Sequence, residues 1–345
     1  MTQHIGFVTT SWPSRRRPWA GHFVAGLAEV MVASGFRVSV VAPCFADDGG
    51  LETRSGISVV PAPVSGGRSS VWFEQWSVWP RVLLSMRRAV GKVDANRWLA
   101  HWWPTLFALP LKANVTSVLH GSDMDLLERL PEAVARLVSE RGPVVAVAPG
   151  LADRFARRLG NPKLRPVVCP LGALTAEVDG PIPVGTEAWA HDPRPKVLTV
   201  ARPSRGKGLE VAHNVAASND SFAYLVVGDP PVSPAQVRTL LRHADLCVIP
   251  SRQAPDLPSE GRPHIIAQAL VAGVPCLGGP NHAVRAAMRE YRQAECFESD
   301  AGTLSRAIEQ ALCTHQYNRL KARALESGSN LTWQAVAKAW TQEVS

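Results

Sequence analysis

Glu260-Gly-Arg-Pro-His-Ile-Ile-Ala-Gln268-Ala-Leu-Val-Ala-Gly273-Val-Pro-Cys276 follows a short apolar run, Asp245-Leu-Cys-Val-Ile-Pro250. The run predicts a buried strand. The stretch then reads as a loop, a helix from near His264 to a stop at Gly273, and a second strand. Strand, helix and strand in that order imply a parallel sheet covered by helices, an α/β fold. The first N–H groups of the helix lack partners within it, and its dipole is positive at that end. Such an end suits an anion, typically a phosphate, or a set of hydroxyls. The loop before it carries a carboxylate (Glu260), a permissive glycine (Gly261), a cation (Arg262) and a rigid proline (Pro263).

Towards the N-terminus the same series continues. Lys196-Val-Leu-Thr-Val-Ala201 predicts a strand, and Arg202-Pro-Ser-Arg-Gly-Lys207-Gly208 a basic, glycine-bearing loop that opens a helix. Ala223-Tyr-Leu-Val-Val227 predicts a strand ending in Gly228-Asp229, and Pro234 starts a short helix. Arg202 and Lys207 sit at the carboxyl end of one strand, and the Glu260 loop at that of another. In a doubly wound domain both ends face one crevice. Two cations and a helix N-terminus there would suit a diphosphate. No Gly-x4-Gly-Lys-Ser/Thr loop occurs, and the first strand–helix turn lacks Gly-x-Gly-x-x-Gly. A Walker loop and a dinucleotide fingerprint are therefore excluded. Beyond Cys276, Leu277 closes the last clear strand, and residues 304–325 and 331–344 read as helices.

The first half repeats the pattern. His4-Ile-Gly-Phe-Val-Thr9 reads as a strand, Phe23 to Ala33 as a helix stopped by Gly35, and Arg37 to Ala42 as a second strand. Ile57–Pro61, Trp98–Trp103, Thr116–His120, Val144–Ala148 and Pro166–Pro170 suggest further strands. The loop before the first helix holds Arg15, Arg16, Arg17 and Gly21. Its arginines either grip an acceptor phosphate or form a solvated loop. His120 stands at a strand end and runs into Gly121-Ser122-Asp123, so it is either a site residue or a structural histidine. Asp123 and Asp125 have the spacing of an Asp-x-Asp metal motif, but Asp123 is better read as a cap on the following helix. Residues 70–92 are rich in tryptophan and basic side chains. They predict either a helix packed on the sheet by its apolar face or one that touches anionic lipid. Residues 171–193 break every periodicity and mark a domain hinge.

At 345 residues and 46% apolar, two domains are expected. The six cysteines are isolated and read as free core thiols. The net charge of +8 favours anionic partners, although a generally arginine-rich composition has the same effect. No apolar run reaches the length of a membrane span, and no signal-peptide pattern opens the chain. A cytoplasmic protein is expected, with peripheral contact at the inner membrane face if the tryptophan-rich segment meets lipid.

In this order the pieces resemble a family-4 retaining glycosyltransferase of GT-B architecture. They are the Gly21 loop, His120-Gly-Ser-Asp123, Pro170-Leu-Gly172, Val200-Ala-Arg202 to Lys207-Gly208, and Val227-Gly228-Asp229. Ala244-Asp245 to Pro250-Ser251, Glu260-Gly-Arg-Pro and Ala269 to Pro275 complete the set, with a closing tryptophan-bearing helix. The resemblance implies two Rossmann-like domains facing across a cleft. Residues 1–170 would form the acceptor domain, 171–328 the nucleotide-sugar donor domain, and 329–345 a helix returning to the first domain. It implies a nucleotide-diphosphate sugar as co-substrate, no cofactor, no metal, and a hydroxylated or anionic acceptor. A nucleic-acid acceptor is suggested by charge alone. Arg202 and Lys207 would neutralise the leaving diphosphate, and Glu260 would hold the donor sugar. Amides from Gly261 to His264, with Arg262 and Pro263 among them, would line sugar and phosphate. Gly21 and Gly228 would let backbone approach the donor, and His120 would touch the transferred sugar. Acceptor contacts would come from Arg15, Arg16, Arg17 and Asp123.

Two positions depart from the family pattern. Gln268 stands where a second glutamate usually holds the ribose, and Arg262 where an aromatic is usual. Gln268 can still bond a hydroxyl, without charge. The segment between Asp229 and Asp245 is short, with one strand–helix unit reduced to a single helix. Other GT-B chemistries, such as epimerisation or phosphorolysis, and a non-catalytic sugar-nucleotide-binding subunit are the alternatives.

Overall fold

The computed structural model describes residues 3–66, 77–175, 181–204, 206–228, 231–253, 263–296, 298 and 300–344. The chain forms two compact units, residues 1–171 with 336–345, and residues 172–335.

Unit 1 runs β1 (His4–Thr9), α1 (His22–Ala33), β2 (Arg37–Phe45), β3 (Ile57–Val64) and α2 (Trp79–Val90). It continues with β4 (Arg97–His101), β5 (Val115–Leu119), α3 (Ser122–Arg129), α4 (Glu132–Glu140), β6 (Val144–Ala146), α5 (Pro149–Arg158) and β7 (Val167–Val168). The strands form a parallel sheet in the order β3-β2-β1-β4-β5-β6-β7. β1 and β5 are buried along their whole length. A sheet covered on both faces needs such continuous apolar runs rather than alternation. α2 packs on β3 and β2, with Val82, Met86, Ala89 and Val90 buried and Leu84, Arg87 and Arg88 outward. That packing occupies the apolar face an interfacial helix would insert into lipid. No described helix is long and apolar enough to cross a membrane.

Unit 2 contains α6 (Glu187–Ala190), β8 (Lys196–Val200), α7 (Leu209–Ser218), β9 (Ala223–Val227), α8 (Pro234–His243) and β10 (Leu246–Ile249). It goes on through α9 (His264–Val271), β11 (Cys276–Gly278), α10 (His282–Glu290), β12 (Ala294–Glu295), α11 (Ala301–Leu312) and α12 (Thr314–Ser329). The parallel sheet has the order β12-β11-β10-β8-β9. Both units are thus Rossmann-like. α13 (Trp333–Val344) starts in unit 2 and ends in unit 1, where the Trp340 indole N–H donates to the Pro170 carbonyl at 2.8 Å.

Three sequence expectations need correction. β11 is not the last strand, since β12 pairs beside it. The helix expected over 304–325 is two helices, broken where Cys313 takes φ −56° and ψ 129°. Of the six thiols, Cys313 is exposed at that break and Cys44 only partly buried, whereas Cys169, Cys247, Cys276 and Cys296 lie in the core.

Candidate functional site

In unit 2 the chain leaves β8 to build β9 on one side and returns to build β10 on the other. The crevice outside the carboxyl ends of β8 and β10 is therefore the switch point where open α/β sheets bind ligands. The loop after β8 carries Arg202, which is exposed, and Lys207, which is partly buried and whose N–H bonds the Ser204 carbonyl at 3.3 Å. The loop after β10 lies against it. The Arg252 N–H donates to the Gly206 carbonyl at 2.7 Å, and the Arg252 guanidinium pairs with Glu210 of α7. Gly208 caps α7, and a Cβ there would stand 2.1 Å from the Pro250 carbonyl oxygen.

Gly228 follows β9 with φ 148°. A Cβ on it would lie 1.7 Å from the Ala201 carbonyl oxygen, so only glycine lets the end of β9 close against the end of β8. Asn281, nearly fully buried, donates from its amide to the Arg252 carbonyl at 3.2 Å and to Gln253 Oε1 at 3.3 Å. Its own oxygen caps α10. This braces the loop after β10 from the start of α10.

α9 begins at this same edge, because a helix that follows one parallel strand and precedes the next runs back from the carboxyl ends. Pro263 precedes it with no side-chain cap. His264, its first residue, donates from Nε2 to the Gly172 carbonyl at 2.8 Å, so its ring is tied to the start of unit 2. Gln268 is partly buried one turn further along. Glu260, Gly261 and Arg262, the expected sugar contacts, and Asp229 lie outside the described residues.

In unit 1 the corresponding reversal lies between β1 and β4. Gly21 caps α1 with φ 60°, and a Cβ there would meet the Ser11 carbonyl oxygen at 2.2 Å. It allows the loop after β1 to fold onto itself just before the helix. His120 follows β5, with its ring 5.0 Å from that of Phe23 on α1. Its Nε2 lies 3.0 Å from Nδ1 of His101, the last residue of β4. Burial lowers the His120 imidazole to about 4. His101 is held well below its ordinary value, first by burial and then by the neighbouring His120. Both rings are neutral at physiological pH.

Asp123 is fully buried. Its carboxylate accepts the backbone N–H groups of His120 (3.0 and 3.1 Å), Gly121 (2.7 Å) and Met124 (3.0 Å). Burial raises it to about 6 against the lowering effect of those bonds. The carboxylate thus fixes the turn that presents His120 and has no surface to offer an acceptor, which corrects that expectation. Asp125 is engaged by Arg154 at 2.7 Å. Arg17 also differs from expectation. Its guanidinium holds buried Asp48 at 2.5 Å, while Arg15 and Arg16 remain exposed.

Sequence reasoning missed His101, Arg252 and Asn281. Arg252 had a legible signal, a cation two residues past an apolar strand end. Trp102 was missed too. It takes φ 79°, uncommon for a non-glycine residue, and packs against Trp79 with ring centroids 4.5 Å apart and planes tilted by 36°.

No protein-family model matches the sequence, and no curated protein matches it. Solved structures do. Sucrose-phosphate synthase from Thermosynechococcus elongatus is 16% identical with a TM-score of 0.71, covering 99% of this chain and 98% of that one. A trehalose-6-phosphate synthase is 11% identical with a TM-score of 0.75 and the same coverage. Anabaena HepE, in complex with UDP and glucose, is 13% identical with a TM-score of 0.67, covering 99% and 98%. The chain shares the GT-B glycosyltransferase fold along nearly its full length.

Proposed function

We propose that this protein is a retaining, metal-independent glycosyltransferase that moves a sugar from a nucleotide-diphosphate sugar to a hydroxyl acceptor. The observation that carries the reading is the placement of Arg202 and Lys207 on one loop at the switch point of the unit 2 sheet, beside the end of β10. The shared fold supports it, and one structural neighbour was crystallised with UDP and glucose.

In the reaction the bond from the anomeric carbon to the diphosphate oxygen breaks. A bond from that carbon to the acceptor oxygen forms, and the acceptor proton passes to the leaving phosphate. Negative charge grows on the diphosphate as the bond breaks. Arg202 and Lys207 stabilise that charge without having to reorganise. His264 and Pro263 place the start of α9 towards the same edge, and Glu260 anchors the sugar hydroxyls. Gln268 binds a donor hydroxyl as a neutral partner.

Lys207→Ala is expected to lower turnover of a nucleotide-diphosphate sugar by about 10²–10³-fold. A thermal-shift screen of the wild type against nucleotide diphosphates and their sugars identifies the donor for that assay. Unchanged turnover in the variant would overturn the diphosphate assignment. Absence of any shift across the screen would count against a nucleotide-sugar donor altogether.

A further inference from the structure

The two sheets end in β3, β7, β12 and β9, and the first three edges are guarded against further pairing. β3 carries Pro61 and Pro63. Proline has no N–H, so donors that would face outward from that edge are missing. β7 and β12 have two residues each, and β7 lies between Pro166 and Pro170. Strands so short give an incoming strand little to pair with. β9 is the exception. It closes the unit 2 sheet with five residues, Ala223-Tyr-Leu-Val-Val227, that include neither proline nor charge. Between β9 and β10 the described residues hold α8 alone, so no further strand is laid outside it.

The hydrogen bonds to β8 show which groups face outward. The Ala223 N–H donates to the Pro195 carbonyl at 2.9 Å, and the Val227 carbonyl accepts from the Ala201 N–H at 3.0 Å. Ala223, Leu225 and Val227 thus turn both backbone groups towards β8, and Tyr224 and Val226 turn theirs away. Among the described residues no hydrogen bond reaches the backbone of either. The Trp189 indole N–H comes to this end of the sheet, but its acceptor is the Ala223 carbonyl at 3.1 Å, before the outward pair. Tyr224, Leu225, Val226 and Val227 each keep part of their surface exposed. Unpaired N–H and C=O groups along an apolar edge are a template for another strand.

We infer that β9 is the edge by which two copies of this chain pair, antiparallel about a twofold axis at Leu225. That axis sets Tyr224 of one copy opposite Val226 of the other, so each outward N–H meets an outward carbonyl. Leu225 meets its own counterpart, and an aromatic faces a β-branched side chain on either side of the axis. The segment is self-complementary, as an isologous interface requires. A second copy therefore satisfies every outward group of β9 without a segment from elsewhere, and no charge within the strand opposes it. The unit 2 sheets of the two copies then join into one. This pairing does not depend on the glycosyl-transfer reading.

Sedimentation equilibrium of the full-length wild type over a concentration series reports its mass. The expected result is a rise from the mass of one chain towards twice that value. Val226→Pro removes an outward N–H that the single chain does not use, a position where an edge strand tolerates proline. It should hold the mass at one chain, with a circular dichroism melt near that of the wild type. Amide hydrogen exchange gives a second reading that needs no variant. Tyr224 and Val226 should exchange more slowly as concentration rises. A wild type that stays a single chain throughout overturns the inference and leaves the edge to a strand of another protein. A folded Val226→Pro protein that still doubles its mass overturns it too, by placing the contact elsewhere. So do Tyr224 and Val226 amides that exchange at one rate at every concentration, and that reading decides if the proline variant fails to fold.

Discussion

Three ionisable groups are buried together at the carboxyl ends of β4 and β5, and they respond to pH in opposite directions. His101 and His120 have lowered pKa values, His120 to about 4, so below about 6.5 the unfolded chain binds protons on both imidazoles that folded unit 1 refuses. Asp123 is raised to about 6 from an ordinary value of about 3.9, so over much of the same window the folded unit binds one proton that the unfolded chain lacks. Two against one leaves stability falling as pH falls, by on the order of 1 kcal/mol per pH unit from these groups. The urea midpoint of unit 1 should drop from pH 6.5 to 4. His120→Gln, which leaves one imidazole against one carboxyl, should flatten that slope, and an unchanged slope would contradict the assignment. At this scale the candidate site was partly legible. Arg202, Gly228 and His120 each stand directly beyond an apolar run, with Lys207 five residues further along the Arg202 loop, and their chemistry is readable from local sequence. His101 was not legible as the partner of His120, because the pairing follows from the register of β4 on β5, which no local pattern encodes. Asp123 was legible as an acceptor of backbone N–H groups, but the cap of α3 is Gly121, and the carboxylate holds the turn before the helix instead.

Among the elements, the longer strands agree with their sequence patterns. β1, β2, β5, β8 and β9 have five residues or more, most of them apolar or β-branched. β7 and β12 have two residues each and exist through the neighbour they pair with. Tertiary pairing, not propensity, decides such strands. The break between α11 and α12 was hidden because the apolar spacing carries on across Cys313. α13 shows what one residue can contribute at this scale. Trp340 is 0% exposed and bonds the Pro170 carbonyl, which anchors the end of the helix in unit 1. Trp340→Ala should cost about 3–5 kcal/mol. It should lower the urea midpoint of unit 1 selectively, leaving that of unit 2 near its wild-type value. Equal loss in both units would contradict this placement.

For the whole molecule, the division at 171/172 and again at 335/336 gives the two units different standing. Unit 2 is one uninterrupted segment with its own core around Leu198, Leu240, Cys247, Ile266 and Leu270. A fragment of residues 172–335 should therefore unfold cooperatively by itself. A fragment of residues 1–171 lacks the strip that bears Trp340 and should be markedly less stable, recovering when a peptide of residues 336–345 is added. Circular dichroism during urea titration checks both, and full stability of the first segment alone would contradict the division. The same arrangement sets an order of events during synthesis. A domain usually folds as it emerges, N-terminal first. Here the early segment waits for its closing strip until the later domain has been made. Trp340 reaches Pro170 only after some 170 intervening residues have left the ribosome. A pause or premature stop after residue 335 would release a finished second domain attached to an unfinished first.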